Sequence, residues 1–253
     1  MTTLALGLAC LWSESRKTLL VEADPNGGCL AARLSLAQEP GLSTLAAAGR
    51  HEISMRVIAQ NLQPGPGHTS VLLAPSSPHH ARAALRTLSG RLDTALVDLA
   101  TQDDMAVLAD LGRLDAESPV LGLGEAAHRL IFVARPTLDG IDALGVRLDE
   151  LSQLRSRSLV VTAGVGPYGH RELHEVLGVP VAGHIPPDPA GLASIWSASG
   201  VSTIRRRLLW RVLAGIAACC EIDTTDDETV GAPRPSKRPH LLPRSTKRQG
   251  AIR

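Results

Sequence analysis

TLLVEADPNGG, residues 18–28, sets an apolar run against an acid and a tight turn, and the rest of the chain takes its meaning from it. Thr18–Ala23 is short, rich in leucine and valine, and apolar at most positions, the pattern of a strand buried on both faces of a sheet. Asp24-Pro25-Asn26-Gly27-Gly28 ends it, because proline presets one backbone angle, asparagine and glycine accept positive φ, and aspartate can bond its own backbone two residues on. Ahead of the strand, MTTLALGLACLW (residues 1–12) predicts a helix over Thr2–Ser13. Helix, buried strand, acid and glycine turn follow in the order of an open α/β sheet, whose ligands bind beyond the carboxyl ends of the strands.

The same alternation continues downstream. Thr18–Ala23, Thr69–Ala74, Met105–Ala109, Leu130–Ala134, Ser158–Ala163 and Val179–Ile185 read as strands. Between them helices are expected at Leu42–Ala48, His79–Leu99, Leu138–Leu154, Arg171–Leu177, Pro189–Ser199 and Ser202–Cys220. Strands alternating with helices predict an α/β fold, a mostly parallel sheet with helices on both faces. Asp98 follows an apolar run in LDTALVDLA, but Leu85, Leu88, Leu92, Leu96 and Leu99 recur at helical spacing and place that acid on an amphipathic helix.

Composition narrows the function. Aromatic residues make up 2% of the 253, so the core must be packed from aliphatic side chains, and recognition of bases by aromatic stacking is disfavoured. Cys10, Cys29, Cys219 and Cys220 have no metal-ligand spacing, which argues against structural zinc and for a reducing compartment. Leu4–Trp12 lacks the basic region of a signal peptide, and no apolar run reaches the roughly 18 residues of a membrane span, so a cytoplasmic protein is expected. His79 and His80 fit the first turn of a helix and lack a third ligand, and Gly164, Gly166 and Gly169 fit a loop.

Thr2 and Thr3 admit two readings. Either supplies an N-cap hydroxyl, or they stand where a phosphate-binding loop places the hydroxyl that holds Mg²⁺ at the start of a helix. The glycines and the lysine that precede that hydroxyl in such a loop do not stand before Met1.

LLVEADPNGGCLAARL, PGLSTLAAAGR, DMAVLADLGRL, RLIFVARPTLDGIDAL and VPVAGHIPPDPAGLA together resemble the ParA/MinD group of P-loop ATPases over roughly residues 1–220. The resemblance implies a P-loop NTPase-like fold, with ATP and Mg²⁺ as cofactors. It implies a nucleotide-dependent homodimer acting with chromosome-partitioning, division or pilus-assembly proteins. On it, Asp24 matches the switch aspartate that orients attacking water, and Asp110 the acid that holds Mg²⁺ through water. Thr2 and Thr3 match the nucleotide-binding hydroxyls, with Thr2 also at the metal, while Glu22 stands where many relatives have aspartate. For Asp24 an Asx turn is the competing role.

The departures matter equally. The glycine loop, its lysine, the hydrophobic strand that would precede them at the centre of the sheet, and the asparagine of the adenine-reading strand are all missing from this sequence. Binding of ATP by these residues is therefore expected to be weak or absent. Two explanations stand open: Met1 lies inside the loop of a longer protein, or the chain is a degenerate paralogue serving as a non-catalytic scaffold or regulator.

Charge divides the chain into an ATPase-type domain at 1–221 and a tail at 222–253. Residues 232–253 hold seven Lys/Arg and no acid, which leaves an excess of six acids on residues 1–231. The tail is proline-rich and polar, and is expected to be disordered; its charge suits non-specific contact with DNA. Before it, Leu208–Cys220 shows an apolar face that fits either a closing core helix or a membrane-surface helix.

Overall fold

A computed structural model describes residues 1–49, 53–102, 104–196 and 208–221. The basic tail, Arg205–Arg207 and the end of the helix expected to Ser199 lie outside them.

Among the described residues seven strands form, β1 (Lys17–Glu22), β2 (Gln63–Pro64), β3 (Thr69–Leu72), β4 (Met105–Asp110), β5 (Leu130–Ala134), β6 (Ser158–Ala163) and β7 (Val181–Ile185). They make two hydrogen-bonded groups, ordered β2-β3-β1-β4 and β5-β6-β7. All pairs are parallel except β2 with β3. This is the expected α/β architecture. β1 is buried at five of its six positions, as a continuous apolar run requires.

Around the strands lie α1 (Thr2–Trp12), α2 (Leu30–Leu34), α3 (Leu42–Ala48), α4 (Met55–Ala59), α5 (Pro78–Leu88), α6 (Arg91–Ala100), α7 (Leu121–Ala126), α8 (Leu138–Glu150), α9 (His170–Leu177), α10 (Pro189–Trp196) and α11 (Leu208–Glu221). One core joins Leu19 and Val21 of β1 and Leu130 of β5 to α3, α5, α6 and the turn around Leu154. A second joins Leu20 of β1 and Val161 of β6 to α1, α10 and α11, and a third packs Ile141, Leu144 and Leu148 of α8 and Leu173 and Leu177 of α9 on Val160 of β6. The first two cores each touch both strand groups, so β5-β6-β7 continues the first group between the same two helical layers.

Two expectations are corrected. The helix expected over His79–Leu99 is two, because the chain breaks at Ser89-Gly90, where Gly90 has φ +76° and the Asp93 carboxylate accepts its N–H to start α6. The five leucines of the stripe are nevertheless all buried, and Asp98 sits exposed on α6, away from any strand end. The helix expected to Leu154 ends at Glu150 and gives way to a 3-10 turn at Ser152–Arg157. The short α2, α4 and α7 and the two-residue β2 had no periodic signal long enough to read.

His79 and His80 occupy the first turn of α5 behind Pro78, and Gly164–Gly169 forms a loop. α11 is a core helix, with Leu209, Trp210, Leu213, Ile216 and Ala217 buried. No helix among the described residues is long and apolar enough to cross a membrane.

Candidate functional site

The carboxyl edge of the β1–β4 pair collects the acids. Glu22 and Asp110 are the last residues of their strands and stand opposite each other in the parallel register. Both are buried, at 1% and 3% exposure, in a place where an unbonded carboxylate would be costly.

Glu22 is fully engaged. Its Oε1 accepts the N–H groups of Cys29 at 2.6 Å and Leu30 at 2.8 Å, and its Oε2 accepts the N–H of Ala74 at 3.1 Å. It thus satisfies donors that open α2 and fastens the end of β3 to β1. Gly28 makes this possible, since a Cβ there would strike both the Glu22 carboxylate and the Ala74 carbonyl. Burial pushes the Glu22 carboxyl above its ordinary range; the three N–H groups pull it back, and the neighbouring Asp110 charge adds to the rise. Sequence reading placed this residue only where relatives of the resembling family carry an aspartate, and its local signal was an acid inside an apolar run.

Asp110 is only half satisfied. Its Oδ1 accepts the N–H of Gly112 at 3.2 Å, whereas Oδ2 is buried with no partner. A carboxylate oxygen in that state suits a cation. No group of three or more His, Cys, Asp or Glu among the described residues could hold one, so the donor set here is sparse, of the kind that leaves several waters on Mg²⁺.

Asp24 closes the predicted Asx turn, its Oδ1 accepting the N–H of Asn26 at 2.8 Å. Its carboxylate lies over the backbone of Gly112, which has φ +63°, at a point where any Cβ would collide with it. Asp24 and Asp110 therefore meet the same Asp110–Gly112 turn from two sides.

Thr2 is the first helical residue of α1 rather than its cap; Met1 holds the cap position and makes no side-chain cap bond. The N-cap reading of Thr2 and Thr3 is thus corrected. The Thr2 hydroxyl meets the Cys29 thiol, which puts the start of α1 beside the Glu22 loop. Thr2, Asp24 and Asp110 all line one cleft, together with Arg113 and Arg135, and Thr3 does not. Lys17 is the sole lysine before residue 237 and sits at the opposite end of β1. The unpartnered oxygen of Asp110 fits a hydrated cation, but the lining of the cleft holds no lysine and no glycine-rich cradle for phosphates.

No family model matches the chain, and no curated protein does. Solved structures do match. A ParA family ATPase from Chlorobium tepidum TLS superposes with a TM-score of 0.69 at 16% identity, covering 86% of this chain and 91% of that one. Apo McdA of Cyanothece gives 0.64 at 18% identity, covering 86% and 92%. The MinD cell division protein of Aquifex aeolicus gives 0.63 at 11% identity, covering 86% and 89%. The fold of this chain is the ParA/MinD fold, as its sequence resemblance implied.

Proposed function

We propose that this chain serves partitioning or positioning of cellular machinery on a ParA/MinD-like scaffold, and that its 253 residues do not by themselves turn over ATP. The observation that supports the reading is the Asp110 side chain, buried at a strand end with one oxygen unpartnered and Thr2 and Asp24 at the same cleft. Mg²⁺, if bound, would be held by Asp110 and Thr2 and would neutralise phosphate charge there. Asp24 stands where a water-orienting group belongs. With no lysine at this edge among the described residues, the main electrostatic requirement of phosphoryl transfer is unmet, and no hydrolytic step follows from these residues.

Neighbours of the same fold were solved as a Mg-ADP complex of MinD, an ATP complex of a McdA variant and a MinC:MinD complex. On this reading the chain works as a homodimer in the cytoplasm, with partition, division or pilus-assembly proteins as partners and its basic tail on DNA. A second reading, a non-catalytic scaffold or regulator, draws on the Asp24–Asn26 bond, which gives Asp24 a turn-closing role that needs no nucleotide.

The test is magnesium-dependent ATP hydrolysis by the 253-residue protein. No turnover above background is expected. Turnover that Asp110→Ala abolishes would overturn the proposal, and a melting temperature unmoved by millimolar ATP and Mg²⁺ would favour the scaffold.

A further inference from the structure

The seam between β4 and β5, which are not paired with each other, opens as a cleft of 1370 Å³. Just past the carboxyl ends of these strands stand two arginines: Arg113 is the third residue after Asp110, and Arg135 directly follows Ala134. Both line the cleft with Asp24 and Asp110. Both are exposed, and among the described residues neither makes an ion pair or a side-chain hydrogen bond. Arg16 and Arg147, also on the cleft walls, hold Glu221 and Glu150 instead. The charge of Arg135 reaches Asp139 only as a minor influence: that carboxyl lies below its ordinary range through the Thr137 hydroxyl first and Arg135 last.

The backbones that carry the two arginines are held in place. Arg113 follows Gly112, which is pinned under the Asp24 carboxylate. The Arg135 carbonyl packs on Gly140 and the Pro136 carbonyl on Gly166, at points where any Cβ would collide. Two anchored guanidiniums thus share one cleft with a buried carboxylate oxygen, Asp110 Oδ2, that has no partner. An anion arriving alone would be repelled by Asp24 and Asp110. An anion that brings a divalent cation is not, because a cation on Oδ2 reverses the local sign. Its remaining oxygens are then open to the guanidiniums, each of which binds phosphate through paired N–H donors.

We propose that Arg113 and Arg135 clamp a diphosphate group chelated to a divalent cation, with the cation on Asp110. A diphosphate suits the pair because each guanidinium takes one phosphate while both phosphates share the metal; a single phosphate leaves one arginine without a partner. The arginines supply positive charge to a cleft whose lining holds no lysine. They do not supply a backbone cradle, so the clamp binds its ligand and transfers no phosphate. The inference rests on the reading of Asp110 as a cation ligand, and it adds two residues to which the sequence resemblance gives no role.

Calorimetric titration of the 253-residue protein with magnesium pyrophosphate and with magnesium ADP tests the clamp. Arg113→Gln and Arg135→Gln are each expected to weaken binding about tenfold, the effect of losing one charge-assisted partner, and omitting magnesium should weaken it at least as much. Both side chains are exposed, so these variants should melt as the native sequence does. Arg171→Gln on α9, exposed and outside the cleft, controls for net charge and should change nothing. Equal affinity for the two ligands identifies the diphosphate alone as the recognised group, and a preference of about tenfold or more for ADP identifies a nucleoside diphosphate; with the arginine dependence, either supports the proposal. Binding that survives in the double arginine variant and is lost in Asp110→Asn overturns the clamp and leaves the cation reading standing. Binding that survives both in Asp110→Asn and without magnesium overturns the two together. Absence of binding by either ligand, or a loss in Arg171→Gln as large as in the clamp variants, also overturns the proposal.

Discussion

The carboxylate of Asp24 lies against the α-carbon of Gly112, so closely that residue 112 can carry no side chain while Asp24 keeps its place. The contact locks the turn after β1 to the turn after β4, and each turn carries one acid of the candidate site. Its rigidity sets the spacing of Asp24 and Asp110 at the mouth of the cleft.

Gly112→Ala should therefore be doubly unfavourable, through the collision and through a backbone at φ +63°. A loss of about 1–3 kcal/mol in urea unfolding is expected. Adding Asp24→Ala should restore the part due to collision and leave the part due to φ. A double variant no more stable than Gly112→Ala would show that the two residues are not in contact.

Glu22 makes stability depend on pH in a direction unusual for a hydrogen-bonded carboxylate. Its folded pKa is raised above the ordinary 4.5, so the native state holds this proton more tightly than the unfolded chain does. The stabilisation it contributes is fully present below the unfolded pKa and is lost as pH rises through the folded one. Measured against Glu22→Gln, the stability of the native sequence should fall as pH is raised from about 4 toward neutrality. A rising difference would mean that the three N–H groups outweigh burial.

Cys10 should resist alkylation in the folded protein. It is buried at 2% exposure, and burial pushes its thiol up to about 11. At pH 8 the thiolate is about one part in a thousand, before access is counted. Mass spectrometry after brief treatment with iodoacetamide should find Cys10 unmodified until denaturant is added, and rapid labelling in the native state would contradict its place in the core.

The seven positive charges of residues 232–253 should confer salt-dependent affinity for duplex DNA. Releasing counterions from that many phosphates sets an upper slope of about −6 in log K against log salt. A protein ending at Gly231 should lose most of that dependence. Equal binding of both forms at low and physiological salt would leave the tail without this role.

The sequence by itself determined every described strand but β2 and the alternation of those strands with helices. Asp110 was legible for the same reason as Asp24: each closes an apolar run, and burial of such a run fixes both its strand state and the edge at which it ends. The leucine stripe from Leu85 to Leu99 was likewise readable, although the break at Gly90 was not, since a glycine within a helical period carries no fixed meaning until the backbone angle is known.

Only the tertiary structure decided the rest. Glu22 serves Leu30 and Ala74, residues 8 and 52 positions away, and no local pattern announces an acceptor for such distant donors. The pressure of Asp24 on Gly112 joins two turns separated by most of the first strand group. The seam between β4 and β5 is the clearest case: both strands look like ordinary buried runs in sequence, and which edge of a strand is paired depends on neighbours brought in by the fold, because side-chain pattern reports the faces of a sheet and says nothing of its edges.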